Sequence, residues 1–149
     1  MRRADRAVGE IEAWEFVCKG EYGVLSLSDG KIPYGVPLNY CLIDKDIYFH
    51  CAHEGRKIDI MKNNPLISFC VVKSARILPD KFSTAYESVI VEGVVCEVAE
   101  KEKRNALVGL IKKYSYDYYE NGLKYIESML EQTSVFKITV KNISGKSRR

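Results

Sequence analysis

The segment that most limits what this chain can fold into is the run 86–98, which reads as one long strand with Gly93 at a bend or bulge. A strand of that length serves two surfaces rather than one. A second run, 66–72 (Leu-Ile-Ser-Phe-Cys-Val-Val), is apolar at nearly every position. That pattern fits a core strand in the wall of a closed barrel better than a half-wet sheet. Upstream, residues 22–28 alternate and meet Asp29-Gly30, a two-residue hairpin signal. The next strand is placed at 33–43, where Pro33 and Pro37 mark an edge or bulged stretch because neither can donate to a ladder. After Asp44-Lys45-Asp46 comes a third strand, 47–51, and the three are expected to form a meander. A last strand is expected at 135–143. Helical spacing covers 5–19, ended by Gly20, and 100–113, with a shorter helix at 123–130 after a tyrosine-rich link and Asn121-Gly122. Residues 75–84, around Pro79-Asp80, read as a loop. About six strands with a few helices predict a small, mainly β barrel flanked by helices.

The length suits a single domain, 1–149, with room for a real core. Hydrophobic content of 46% beside 29% charged residues describes a soluble globular chain, and no apolar run reaches a membrane span. No apolar segment follows the charged residues at 1–5, so no signal peptide is visible and a cytoplasmic protein is expected. Cys18, Cys41, Cys51, Cys70 and Cys96 are dispersed and odd in number. They indicate neither a disulfide frame nor a zinc site, and most are read as small buried apolar residues. No metal-ligand spacing, Walker loop or serine–histidine–acid order occurs. The basic cluster at 141–149 is read as a solvated, partly ordered tail; with a net charge of only +3 it does not argue for nucleic acid.

The chemistry concentrates at residues 48–57, Tyr-Phe-His-Cys-Ala-His-Glu-Gly-Arg-Lys. Here an apolar strand enters a short turn and a helix begins near Gly55, running to Asn64-Pro65. The first amides of a helix lack intrahelical acceptors and its dipole is positive at that end. A phosphate could therefore take backbone N–H bonds together with Arg56 and Lys57. The alternative is a helix that opens with two solvated cations. His53 in the turn is read as a solvated loop residue, and Trp14 as core.

The succession of an Asp-Gly hairpin, Gly35-Val36-Pro37-Leu38-Asn39-Tyr40, the 48–57 junction, Asn63-Asn64-Pro65, and Tyr86-Glu87-Ser88 running on to Gly93 resembles the flavin-binding split-barrel family. It is most similar to the nitroimidazole-resistance and flavin-nucleotide-binding branch, and more distantly to pyridoxamine phosphate oxidases. The resemblance covers nearly the whole chain. It implies a six-stranded antiparallel FMN-binding split barrel with flanking helices, acting as a homodimer whose subunits share the flavin site. On that resemblance Arg56 and Lys57 grip the flavin phosphate and His50 and Cys51 lie beside the cofactor. Val36, Pro37, Leu38 and Asn39 run along the ring, and Ser88 reaches the flavin from the other subunit. FMN is the implied cofactor, with FAD as an alternative. The implied activity is an oxidoreductase that passes electrons from NAD(P)H or another donor to a small acceptor such as a nitro compound; the alternative is a non-catalytic flavin carrier, store or sensor. His50 is the catalytic candidate, either as a proton donor or as a residue that only packs on the cofactor. No cation stands in 35–40, where the oxidase branch is basic, which disfavours pyridoxamine phosphate as substrate. Tyr114, Tyr116, Tyr118 and Tyr119 could line a substrate mouth, but packing of a helix end against the barrel is favoured.

Overall fold

The computed structural model describes residues 3–149. Its elements in chain order are β1 (Ala7–Val8), α1 (Glu10–Lys19), β2 (Gly23–Ser28), β3 (Pro33–Leu38), β4 (Cys41–Ile43), β5 (Asp46–Cys51), α2 (Arg56–Asn63), β6 (Leu66–Leu78), β7 (Ser83–Val98), α3 (Glu100–Tyr114), α4 (Tyr119–Met129) and β8 (Ser134–Arg148). The strands form one sheet in the order β3-β2-β6-β7-β8-β5-β4, with β1 paired to β8 and every ladder antiparallel. Among the described residues no ladder joins β3 to β4, so the barrel is split between them.

Eight strands stand where six were expected, for two reasons. Ala7 and Val8 pair with Lys146 and Gly145, so the first helix starts only after Gly9. The 33–43 segment breaks at Asn39–Tyr40, because Tyr40 turns fully into the core. Its hydroxyl donates to the carbonyls of Val17 and Gly20, and its ring meets Phe69 edge-on at 5.2 Å. That break also undoes the expected meander. β3 goes to β2, β4 goes to β5, and the two halves of one predicted strand end at opposite edges of the sheet.

Residues on the inner faces of β2, β5, β6, β7 and β8 share one core with α1 and α2, including Leu25, Phe49, Phe69, Val91, Ile138 and Phe16. Each such side chain contributes about 1.5–3 kcal/mol through burial. A second cluster joins Tyr48, Val98 and Val135 to Leu107, Leu110 and Ile126, which seats α3 and α4 on the outside of β5 and β8. Alternation along β5 feeds both clusters, Ile47 and Phe49 to one and Tyr48 to the other. α4 absorbs Asn121-Gly122, expected in the link, because a Cβ at Gly122 would sit 2.6 Å from Ile111 of α3. Only glycine permits that helix approach.

β7 bends at Gly93 as expected: its register against β8 shifts between Glu92 and Gly93, and a Cβ there would lie 2.5 Å from the carbonyl oxygen of Thr139. β6 differs from its apolar reading. Ile67, Phe69 and Val71 are buried, whereas Leu66 and Val72 are exposed on the outer face. The expected 75–84 loop is the end of a β6–β7 hairpin, turned at Pro79–Lys81 with Phe82 in the left-handed region. The Asp29-Gly30 turn is likewise longer than two residues, since Ser28 pairs with Pro33; Asp29 accepts from the amides of Lys31 and Ile32, both at 2.9 Å. The C-terminal tail, read as solvated, is strand through Arg148, and Arg149 pairs with Glu12 and Glu87. Trp14 is only half-buried and donates to Glu10 at 3.2 Å. Of the free cysteines only Cys41 is buried. No helix among the described residues is long and apolar enough to cross a membrane.

Candidate functional site

Gly55 is the hinge of the anion turn. Its φ of +132° belongs to the region that favours glycine, and it caps α2 without a side-chain bond. The amides of Ile58 and Asp59 return to its carbonyl at 2.9 and 3.2 Å, which leaves those of Arg56 and Lys57 without hydrogen bonds among the described residues. Arg56 is exposed with its guanidinium 4.7 Å from the centroid of Tyr34 on β3, and Lys57 is half-buried. Neither makes an ion pair among the described residues. Two open amides and two cations that make no ion pair, with Asp29 the carboxylate that senses Arg56, form a donor set suited to a phosphate monoester.

β3 is the other half of the site. It pairs with β2 alone, so one backbone edge faces the split. Proline cannot donate, and Pro33 and Pro37 therefore occupy positions whose backbone points away from β2. By alternation Gly35 shares that orientation and offers an N–H and a carbonyl to the split. Val36 and Leu38 are half-buried and pack on the core, while Pro37 and Asn39 are exposed. Such an edge can meet the mixed donors and acceptors of a heteroaromatic ring.

His50 and Cys51 end β5 on opposite faces. Cys51 packs toward the inner core, and His50 follows Tyr48 to the other side, where it is exposed. Much of the residue is open to solvent, but desolvation by neighbouring protein atoms, and then the charge of Lys57, lower the His50 pKa below its ordinary value. Burial raises the Cys51 thiol, against Lys57 and with help from Glu97. Ser88 lies elsewhere, on the outer face of β7 opposite Lys146, in an open cavity of about 420 Å³ shared with Ile90, Asn142 and Ser144. Within one chain the fold thus joins the β3 edge to Arg56, and His50 and Cys51 to Lys57, but not Ser88 to either.

Two residues make contacts that the sequence did not indicate. His53 is an exposed turn residue, as read, but is also anchored: Nδ1 lies 2.7 Å from the Ser134 hydroxyl and Nε2 lies 2.7 Å from the Glu131 carbonyl. Ser134 in turn donates to Glu97 at 2.7 Å, tying the anion turn to β7 and to the end of the helical pair. No local pattern could reveal this, because 81 residues separate His53 from Ser134. The second is Tyr114. Its hydroxyl accepts from the Tyr40 amide at 3.1 Å and donates to the Glu21 carbonyl at 2.6 Å, which holds β3's end in place. Against the favoured packing, Tyr114 is partly exposed and is held through its hydroxyl, and Tyr116 and Tyr118 are more exposed still.

A family model described as pyridoxamine 5'-phosphate oxidase matches residues 10–147. The chain belongs to that family. Several solved structures share the fold. One is a candidate 5-nitroimidazole antibiotic resistance protein from Bacteroides thetaiotaomicron: TM-score 0.75, 21% identity, 94% of this chain and 85% of that one. A conserved hypothetical protein from Mycobacterium tuberculosis gives TM-score 0.83 at 21% identity over 99% and 89%. A FAD-binding protein from Mesorhizobium loti gives 0.70 at 21% over 97% and 98%. Among curated proteins none matches.

Proposed function

We propose that the protein binds FMN along the open edge of β3 and uses it as an oxidoreductase on a small planar acceptor such as a nitro compound. The observation behind this reading is the pair Arg56 and Lys57, in no ion pair among the described residues, on an open helix N-terminus, with Arg56 seated over Tyr34 of the free edge strand. A bound flavin supplies electron acceptance and return. The protein's residues do the rest. Arg56, Lys57 and their amides hold the phosphate, and Gly35 to Asn39 orient the ring. His50, whose lowered pKa favours the neutral imidazole, keeps a ring N–H available for donation. Similarity of the fold to a candidate nitroimidazole-resistance protein and to a FAD-binding protein supports this class of activity. The second of them also favours FAD as the alternative cofactor.

The active form is a homodimer in this reading. Val72 and Ile90 are exposed on the outer sheet face beside Ser88, and a second copy there would bring Ser88 to its neighbour's flavin. Light scattering at micromolar concentration should give twice the chain mass, and Ser88→Arg should disturb both dimer and cofactor binding.

The purified protein should be yellow, release FMN on heating, and bleach within the dead time or milliseconds of mixing with NADPH or NADH. A nitro compound should then restore the colour. A protein that stays colourless after reconstitution is not a flavoprotein, and one that holds FMN without bleaching is a carrier, store or sensor.

A further inference from the structure

Beyond the end of β3 opens a cavity of about 590 Å³, lined by Glu21, Tyr22, Asn39, Lys113 and Tyr114, with Cys18 and Lys19 at its edge. Lys113 is its unusual member. Its Nζ lies 3.5 Å from the centroid of the Tyr40 ring and 5.2 Å from that of Tyr114. Among the described residues no carboxylate pairs with it, although it is half-buried. An ammonium withdrawn from water without an anion is unfavourable, and ring faces compensate only in part. The other charges are arranged differently. Lys19 pairs with Glu15 at 3.3 Å, and the Glu21 side chain stands exposed, where water screens it. The charge that the cavity holds inside is therefore positive, between aromatic walls.

Position adds a second argument, which rests on the flavin reading above. Arg56 stacks on Tyr34 near one end of β3, and Asn39, just past the other end, lines this cavity. At about 3.3 Å per residue the five steps between them span roughly 17 Å, comparable to an extended flavin mononucleotide. A phosphate at Arg56 thus leaves the ring end beside Asn39 and the cavity.

We propose that this cavity is the acceptor site and selects a planar aromatic molecule bearing a carboxylate, with the carboxylate on Lys113 and the ring between Tyr22 and Tyr114. Burial, opposed by the Cys41 and Cys18 thiols, brings the Lys113 ammonium down to about 8, so it is charged at neutral pH and ready for an anion.

The test is calorimetry of the purified, FMN-loaded protein with 4-nitrobenzoate and its neutral counterpart 4-nitrobenzamide, with the flavin spectrum followed in parallel. Expected are tighter binding of the benzoate than of the amide and a perturbed flavin spectrum when the benzoate binds. Lys113→Met should lose at least tenfold for the benzoate and nothing for the amide, with FMN affinity unchanged. Lys113→Arg retains the charge and should keep benzoate affinity within about threefold, which guards against a Met variant that simply folds poorly. Equal benzoate affinity for wild type and Lys113→Met, or no benzoate binding at all, overturns the proposal. The two readings fail separately. Normal FMN loading without benzoate binding removes only the pocket, whereas Lys113-dependent benzoate binding to a chain that takes up no flavin removes only the flavin site.

Discussion

The two ends of β3 present cations under opposite conditions. At the Tyr34 end Arg56 is exposed, with its guanidinium over a ring; at the Asn39 end Lys113 is half-buried beside two rings, with its pKa depressed to about 8. A guanidinium is suited to a fixed, charge-assisted contact with a phosphate. A lysine withdrawn from water stays charged only over a limited range. On the proposed reading, the comparison separates an anchoring end for the phosphate from an end whose occupancy depends on pH.

The largest effect should come from the residue between them in function. His50→Asn keeps a polar group but removes the titration, so acceptor reduction should fall about 100-fold or more at constant flavin content. Because its folded pKa lies below 6.5, the protonated form gains population only as pH falls through that lowered value. Any rate that depends on imidazolium must therefore rise on acidification in the wild type and stay flat in the mutant. An unchanged rate with an unchanged profile would show that His50 only packs.

Next in size is the anchoring end. Each charge-assisted phosphate contact is worth about 1.5–3 kcal/mol, so Arg56→Ala with Lys57→Ala should weaken FMN at least tenfold. Riboflavin, which lacks the phosphate, should bind both forms alike. Equal FMN affinity in a titration of mutant and wild type would put the phosphate elsewhere.

The Lys113 end should respond to pH where the other does not. With the ammonium near pKa 8, 4-nitrobenzoate affinity should drop several-fold between pH 7 and 9 as the amine loses its proton, while FMN affinity stays level. Tyr40 stays un-ionised in that range, since burial raises its pKa far above 10, and burial holds the Cys41 thiol up to about 12. Cys18, Lys19, Glu21 and Tyr114 line the same cavity, so the control is Lys113→Met, whose profile should be flat.

The smallest effect concerns the frame that sets the two ends apart. Tyr114→Phe removes the hydroxyl that ties Tyr40 and Glu21, and should lower stability by about 1 kcal/mol in chemical denaturation. Benzoate affinity should fall modestly with it. No loss of stability would mean that Tyr40, through its bonds to Val17 and Gly20, fixes the end of β3 unaided.

Much of the anchoring end was legible in the sequence because its parts are local. Gly55, Arg56 and Lys57 are consecutive, and a helix start leaves its own amides open whatever surrounds it. The order of motifs likewise pointed to the split barrel, and Gly93 was readable because a glycine inside a long strand has few other reasons to be there. The Lys113 end was not legible. A lysine near the end of an amphipathic helix looks the same whether it meets solvent or two rings, and one of those rings belongs to Tyr40, on the far side of the sequence.

Strand existence and the phosphate-ready turn were set by nearest neighbours, through period-two alternation, turn chemistry and the dipole of a short helix. Partnership was set by the tertiary fold. The burial of Tyr40 split one predicted strand and sent its halves to opposite edges of the sheet, opening the groove between β3 and β4. The same packing turned the basic tail into β8 through pairing with β7, and anchored His53 on Ser134. Such outcomes depend on which distant surfaces meet and exclude water together, and no window along the chain contains both members of those contacts.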